Sequence, residues 1–374
     1  MRDIVSKKLD GTRSFFRRLT NRRMDGRLAY TFLKMCGLPK ANYLCSVTHP
    51  SVMAPFYEEL DDLINQTCSA ITGIPISHIA EHRDVALLPL FSVRGPQLYA
   101  ESKAAVRCNV PKTPVVEPPT SPDLDLAINP LVESHRRSQE GNHAKSWMMF
   151  ALPEVAPMNT EDFCTAMQFR LGHSRARTSQ CTCGNSLRHG GIEALSHLLT
   201  CRDNTVGYTV RHEEVATALI KVLKNFGFSI QREPRQFSGE DDEKRPDFVV
   251  FLSRVSLVVD VTIVTNTSST HCTRSDAADY AARMKIEKHG DNVLGQGAYE
   301  FIPVALESSG HIDSRFDHFV RTLANELPIG SSKHFRRAMC FAASVGLQRG
   351  NARILKHAFS RLEQAATFGT LRWM

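Results

Sequence analysis

Apolar residues recur at helical spacing near 27–37, 52–72 and 96–107, so residues 1–105 read as mainly helical. Pro39, Pro50, Pro75 and Pro96 punctuate these segments, and Pro96 suits the first turn of the last one. Residues 110–130 carry Pro111, Pro114, Pro118, Pro119, Pro122 and Pro130 with few large apolar groups, the pattern of a linker or surface connector. Helical spacing returns over 160–171. It returns again over 206–226, where Val206, Val210, Ala216, Leu219, Ile220, Leu223 and Phe226 form one stripe and Gly227 suits the C-cap. The period then shortens to two. Strands are predicted over 228–231, 248–252, 255–264 and 299–306, with a charged loop over 239–244 and a tight hairpin at Ser253-Arg254. A helix over 275–289, closed by Gly290, separates the last two strands, and helices near 314–326, 333–345 and 350–365 follow. The pattern predicts a mixed α/β chain without internal repeats.

Two acids interrupt this apolar pattern. Asp260 lies within Leu257-Val258-Val259-Asp260-Val261-Thr262-Ile263-Val264, and Arg245-Pro246-Asp247 opens the preceding strand. A carboxylate among β-branched residues is costly to desolvate unless a positive group sits beside it. Side chains alternate along a strand, so Leu257, Val259, Val261 and Ile263 are assigned to the core face, and Val258, Asp260 and Thr262 to the other. A hairpin can bring Asp247 beside Asp260. Two carboxylates on one oxygen-lined face suit Mg²⁺, which can activate water and stabilise charge on a transferring phosphoryl group. The following helix offers Lys285 and Lys288, three apart and therefore on one face. The alternative is a buried Asp satisfied by Arg245 or by backbone amides.

The ten cysteines lack a secretory context. Cys36, Cys45, Cys68 and Cys340 stand alone in apolar surroundings and read as reduced core residues. Cys181-x-Cys183 followed by His197-x3-Cys201 is different: His197 and Cys201 lie one helical turn apart, and Gly184 permits the turn that two close thiolates need. His189 competes as the third ligand, and three free cysteines in a reducing compartment are the alternative. The neighbours Arg175, Arg177, Arg188 and Arg202 suit a small nucleic-acid-gripping knuckle.

Charge changes the picture at one end. The net charge of +7 is modest, but Lys7, Lys8, Arg13, Arg17, Arg18, Arg22, Arg23 and Arg27 crowd the first segment. Such a cluster suits a phosphate backbone, or is a solvated face. Asp3, Asp10 and Asp25 argue against a transit peptide, the signal-peptide pattern is absent, and no uncharged apolar run approaches membrane-spanning length.

The order of these parts resembles the C-terminal half of one family: the polyprotein of site-specific non-LTR retrotransposons with a restriction-enzyme-like endonuclease, including those of trypanosomatids. The shared parts are the Cys-Cys-His-Cys knuckle, Arg211-His212, Arg-Pro-Asp, the strand Asp and the lysine helix. Upstream, Leu33-Lys34-Met35-Cys36-Gly37-Leu38-Pro39, Ala41-Asn42-Tyr43-Leu44 and Thr48-His49-Pro50 resemble the thumb that follows a reverse transcriptase palm. Leu87-Leu88-Pro89-Leu90 with Gly95 resembles the family's Leu-Pro…Gly-Gly segment, from which Phe91-Ser92-Val93-Arg94 departs. The stretch from Ser146-Trp147 to Gly172 resembles the connector, and Leu347-Gln348-Arg349-Gly350-Asn351-Ala352-Arg353 the terminal helix.

The resemblance implies five regions: a thumb-like helical region (1–109), a Pro-rich linker and connector (110–160), a CCHC zinc knuckle (161–205), a PD-(D/E)XK restriction-endonuclease-like core with a central mixed sheet flanked by helices (206–329), and C-terminal helices (330–374). It implies structural Zn²⁺ on Cys181, Cys183, His197 and Cys201, and catalytic Mg²⁺ on Asp247 and Asp260. Lys285 would be the catalytic lysine with Lys288 close behind, and Glu213 a further candidate acid. Arg17, Arg18, Arg22, Arg23, Arg188, Arg211, His212 and Arg245 are the expected nucleic-acid contacts. The sequence has no Tyr/Phe-x-Asp-Asp palm signature and no room for fingers and palm before residue 27. The expectation is a truncated element, a fragment, or a host gene that kept the nuclease half: a nuclear, Mg²⁺-dependent endonuclease that nicks target DNA. Element RNA and an intact reverse transcriptase in trans would be further partners, and no membrane is involved. The rival is a catalytically inactive nucleic-acid-binding remnant.

Overall fold

A helix stops where its last carbonyls find other partners, and the change of period after residue 227 marks such a stop. Gly227 takes the left-handed conformation (φ 87°), its N–H donates to the Lys224 carbonyl, and the Phe228 N–H donates to that of Leu223. This pair of bonds is a Schellman cap, after which the chain leaves the helix as a strand.

The computed structural model describes residues 2–21, 23–40, 43, 48, 50–53, 56–81, 129–141, 143–148, 152–187, 190–204, 207–237, 245–294 and 298–371. The helix predicted near 96–107 and the Leu-Pro segment at 87–95 lie outside these residues. In chain order the helices and strands are α1 (Arg2–Leu19), α2 (Gly26–Phe32), α3 (Pro50–Met53), α4 (Tyr57–Thr72), α5 (Ile76–Glu81), α6 (Pro130–Glu140), α7 (Thr160–Arg170), α8 (Gly191–Thr200), α9 (Gly207–Asn225), β1 (Ser229–Arg232), β2 (Phe248–Phe251), β3 (Ser256–Val264), α10 (Ala277–Leu294), β4 (Tyr299–Glu307), α11 (Ser314–Asn325) and α12 (Ser332–Leu371). They fall into two compact units, Met1–Ile128 with Asn159–Leu171, and Asn129–Met158 with Gly172–Met374.

The first unit is helical. Its core includes Leu9, Phe16, Tyr30, Leu60, Ile64 and Phe163. Asp25 caps α2 by accepting from the Leu28 N–H, and α2 passes into a π-helical turn, Leu33–Gly37.

The second unit holds a four-stranded mixed sheet in the order β1-β2-β3-β4. β1, β2 and β3 are antiparallel neighbours, whereas β4 lies parallel to β3 and is reached through α10. Pro130, read from sequence as part of a linker, is instead the first residue of α6, behind Asn129 as N-cap; proline's missing N–H costs nothing there.

The division of β3 into a core face and a polar face needs correction. Leu257, Val259 and Val261 are buried on one side, but Val258 is buried on the other, against Val249 and Phe237. On that second side of the sheet Ala305 of β4 packs on Ala278 and Ala282 of α10. Helices cover both faces of the sheet where β3 pairs in parallel with β4, so alternation along β3 no longer separates inside from outside.

Glycines produced two further differences. The helix expected to end at Gly290 runs on to Leu294, and the two helices expected over 333–345 and 350–365 are one helix of 40 residues. A glycine costs roughly 1 kcal/mol in a helix interior, which weakens but does not stop it. In α12 the cost has a return: a Cβ on Gly346 would sit 2.8 Å from the Glu214 carbonyl oxygen, and one on Gly350 2.6 Å from Arg211 Cα. These glycines let α12 lie directly on the α9 backbone. Gly350→Ala is expected to destabilise the fold by about 3 kcal/mol through overpacking, while Gly11→Ala in α1, where a Cβ meets nothing within 4 Å, gains helix propensity. Denaturant midpoints of the two variants check this; an unchanged Gly350→Ala protein contradicts the close contact.

Candidate metal centres

The first centre is assembled from a loop and the end of a helix. Gln180 bridges Ser186, the Cys181 N–H donates to the Asn185 carbonyl, and Gly184 closes the turn at φ 89° with its N–H on the Cys181 carbonyl. This turn presents Cys181 and Cys183 on one side. Facing it, α8 buries Ile192, Leu195, Leu198 and Leu199, which fixes its opposite end: His197 in the last turn and Cys201 as C-cap.

Sulfur and ring-nitrogen atoms of Cys181, Cys183, His197 and Cys201 all lie within 4.8 Å of one another. Cys181 Sγ is 3.6 Å from Cys201 Sγ, and Cys183 Sγ is 3.3 Å from His197 Nε2. A disulfide needs about 2.05 Å, so the sulfurs are not bonded. Tetrahedral Zn²⁺ with Zn–S near 2.3 Å and Zn–N near 2.0 Å requires about 3.8 Å between sulfurs and about 3.5 Å from sulfur to nitrogen. The cluster is therefore compatible with structural zinc, and every described cysteine is a free thiol. Burial pushes the Cys201 thiol up to about 12; a divalent cation reverses that preference by ligating the thiolate. His189 and Arg188 lie outside the described residues. Arg175, Arg177 and Arg202 are exposed nearby, Arg175 over the ring of Phe359.

The second centre lies where β2 begins beside the middle of β3. Phe248 pairs with Val259, and the Asp247 N–H donates to the Val259 carbonyl. The ladder thus carries Asp247 opposite Asp260, and antiparallel partners share a face. Beyond Asp247, Val261 has no β2 residue to bond. Its N–H donates instead to Asp247 Oδ2 at 2.5 Å, and its carbonyl accepts from His212 Nε2 at 3.0 Å. His212, on α9, also lies 3.0 Å from Asp247 Oδ2. Ligand atoms of His212, Asp247 and Asp260 all fall within 4.8 Å of one another.

Asp260 is only 4% exposed. Its positive partner is the Lys285 ammonium, 2.7 Å from Oδ2, and not Arg245, the sequence alternative. Burial pushes the Asp260 carboxyl up to about 6, opposed by Lys285 and reinforced by Asp247. His212 is raised, first by its hydrogen bond to Asp247.

No protein-family profile matches this chain, and no curated protein matches it.

Of the residues singled out in the sequence, Asp247, Asp260 and Lys285 meet, and so do the four zinc candidates. Lys288 is exposed on α10. Glu213 points elsewhere, accepting from Arg232 and Thr217 at the surface. Arg211 is not a nucleic-acid contact: it is 1% exposed, donates to Asn351 and Thr265, and lies under Gly350. His212 is half-buried within the acid cluster. Arg245 is half-buried at the start of the Pro-Asp turn. Arg17, Arg18 and Arg23 are exposed on the first unit, and Arg22 lies outside the described residues. Arg13 is engaged with Asp10 and Glu59. Among the described residues no helix is long and apolar enough to cross a membrane.

His212 could be grouped in the sequence only with the nucleic-acid contacts, because Asp247 and Val261 lie 35 and 49 positions away. The available signal was an imidazole on the helix that precedes the strands of the sheet.

Proposed function

We propose that this chain is a metal-dependent DNA endonuclease of the non-LTR retroelement type, nicking target DNA by hydrolysis of a phosphodiester. The observation that carries the reading is the convergence of Asp247, Asp260 and Lys285 beside the paired start of β2, with the lysine 2.7 Å from a buried carboxylate. Perturbed titratable groups gathered in one place are candidates for chemistry. The mixed sheet with helices on both faces supports a PD-(D/E)XK core, the Cys₃His cluster supports a preceding zinc knuckle, and the helical first unit supports a thumb-like region. The chain acts in the nucleus on DNA, with element RNA and a reverse transcriptase supplied in trans as further partners. It lacks the palm signature, so nicking is its only proposed step.

Asp247 and Asp260 would hold Mg²⁺, which when bound supplies a Lewis acid for water and for phosphoryl charge. Asp247 is already anchored by Val261 and His212, so little reorganisation remains. Lys285 keeps an ammonium beside the acids, offsetting the charge that builds on the phosphodiester oxygens during in-line attack by water. The buried setting of Asp260 strengthens each of these interactions.

The test is incubation of the purified chain with supercoiled plasmid in Mg²⁺ or Mn²⁺, in EDTA, and as Asp260→Ala. Metal-dependent nicking by wild type alone is expected. Equal nicking by wild type and variant, or none in any divalent metal, rejects the nuclease; DNA binding without nicking then returns the inactive remnant.

A further inference from the structure

We infer that His212 is a positioning residue: together with the Val261 amide it occupies Oδ2 of Asp247, so that Asp247 meets the shared cation through Oδ1 alone. This rests on the reading of Asp247 and Asp260 as metal ligands and adds a role for a side chain that reading leaves unassigned.

His212 Nε2 lies 3.0 Å from Asp247 Oδ2 and 3.0 Å from the Val261 carbonyl oxygen. Both neighbours accept and neither can donate, so Nε2 carries the proton. A protonated ring nitrogen has no lone pair for a metal. His212 therefore stands within 4.8 Å of both carboxylates as a donor to one of them, and not as a third ligand through this nitrogen. Oδ2 of Asp247 already accepts the Val261 N–H at 2.5 Å. With the imidazole it takes two donors, and Oδ1 is left for a cation.

The arrangement also sets the spacing of the two acids. Val261 follows Asp260 in the chain, and both its polar backbone groups are spent on the clamp, N–H to Asp247 and C=O to His212. The clamp thus ties Asp247 to the residue next to Asp260. His212 is itself held, because α9 is pinned against α12 at Gly346 and Gly350. Partners of this kind, one bond removed from a metal, set ligand orientation and are worth about 10- to 100-fold in affinity or activity.

The experiment measures Mn²⁺ binding by calorimetry on zinc-loaded protein, beside the nicking assay, for wild type, His212→Ala, His212→Gln and Asp260→Ala. Glutamine can offer an amide N–H near the position of Nε2. His212→Ala is expected to weaken Mn²⁺ binding by about 10- to 100-fold, and His212→Gln to recover most of it. Wild-type affinity in His212→Ala overturns the positioning role while leaving the nuclease reading intact. Equal loss in the Ala and Gln variants, each with wild-type zinc content and circular dichroism, makes His212 a direct ligand and also overturns it. If wild type binds Mn²⁺ no better than Asp260→Ala, both readings fall together.

Discussion

Asp260→Asn loses metal-dependent nicking by about 10³-fold and at the same time makes the folded chain more stable at pH 8. The first effect follows from losing one of two carboxylates that hold the cation: Lewis-acid stabilisation is worth several kcal/mol, and each 1.36 kcal/mol is tenfold in rate. The second follows from burial. The Asp260 carboxyl is raised from 3.8 to about 6, chiefly by desolvation. A folded-state pKa above the unfolded one means that the folded chain holds the extra proton between those values. Stability from the protonated carboxyl is present below about pH 4 and is lost as pH rises through about 6. The asparagine amide never ionises, so it escapes this loss. Its advantage should be absent near pH 4 and reach about 3 kcal/mol above pH 6, at 1.36 kcal/mol per unit. Melting curves at pH 4 and pH 8 in metal-free buffer check this. A variant less stable than wild type at pH 8 would show that the Lys285 pair outweighs desolvation, and the account of the site as a stored cost would be wrong. Sites that sacrifice stability in this way are expected where function requires the group.

Cys201→Ser is expected to release the zinc and lower the melting temperature by about 10 °C. The turn carrying Cys181 and Cys183 has little else to hold it, since Cys183, Gly184, Asn185 and Ser186 are exposed and Leu187 is its one large buried apolar residue. Zinc binding contributes about 10–16 kcal/mol in peptides that are unfolded without metal. Here α8 packs through its own leucines, so the ion is asked only to hold the turn, about 3–5 kcal/mol, and each kcal/mol moves a unit of this size by about 2–4 °C. Metal analysis of gently purified protein should give one zinc per chain, falling to none in Cys201→Ser. Protein without zinc, or unchanged melting after chelation, would defeat the assignment.

Much of the second unit was legible because its signals are local. The Schellman cap at Gly227, the strands around Ser253-Arg254 and each half of the cysteine–histidine cluster involve residues within a turn or two, or a single hairpin. Lys285 was legible only as one of two lysines, because helical periodicity assigns a face and not a depth. The surroundings of Arg211 and His212 were not legible for a related reason. Adjacent on a helix, they point about 100° apart, and what each meets depends on elements distant in sequence: Asn351 and Thr265 for one, Asp247 and Val261 for the other. The break expected between 345 and 350 does not occur, and the packing partner of Gly346 and Gly350, the α9 backbone, is more than a hundred residues earlier.

The sequence by itself determined the mixed helical and strand class, a cluster of Cys181, Cys183 and Cys201 with His197 or His189, and the two acids on neighbouring strands, since spacing and alternation act locally. Only the tertiary structure decided that both faces of β3 are covered, that Lys285 is the cation at Asp260, and that His212 clamps Asp247. Those outcomes depend on which helix packs over which strand. Burial, and with it the cost of a charge and the value of a hydrogen bond, is a property of that packing and not of any one segment.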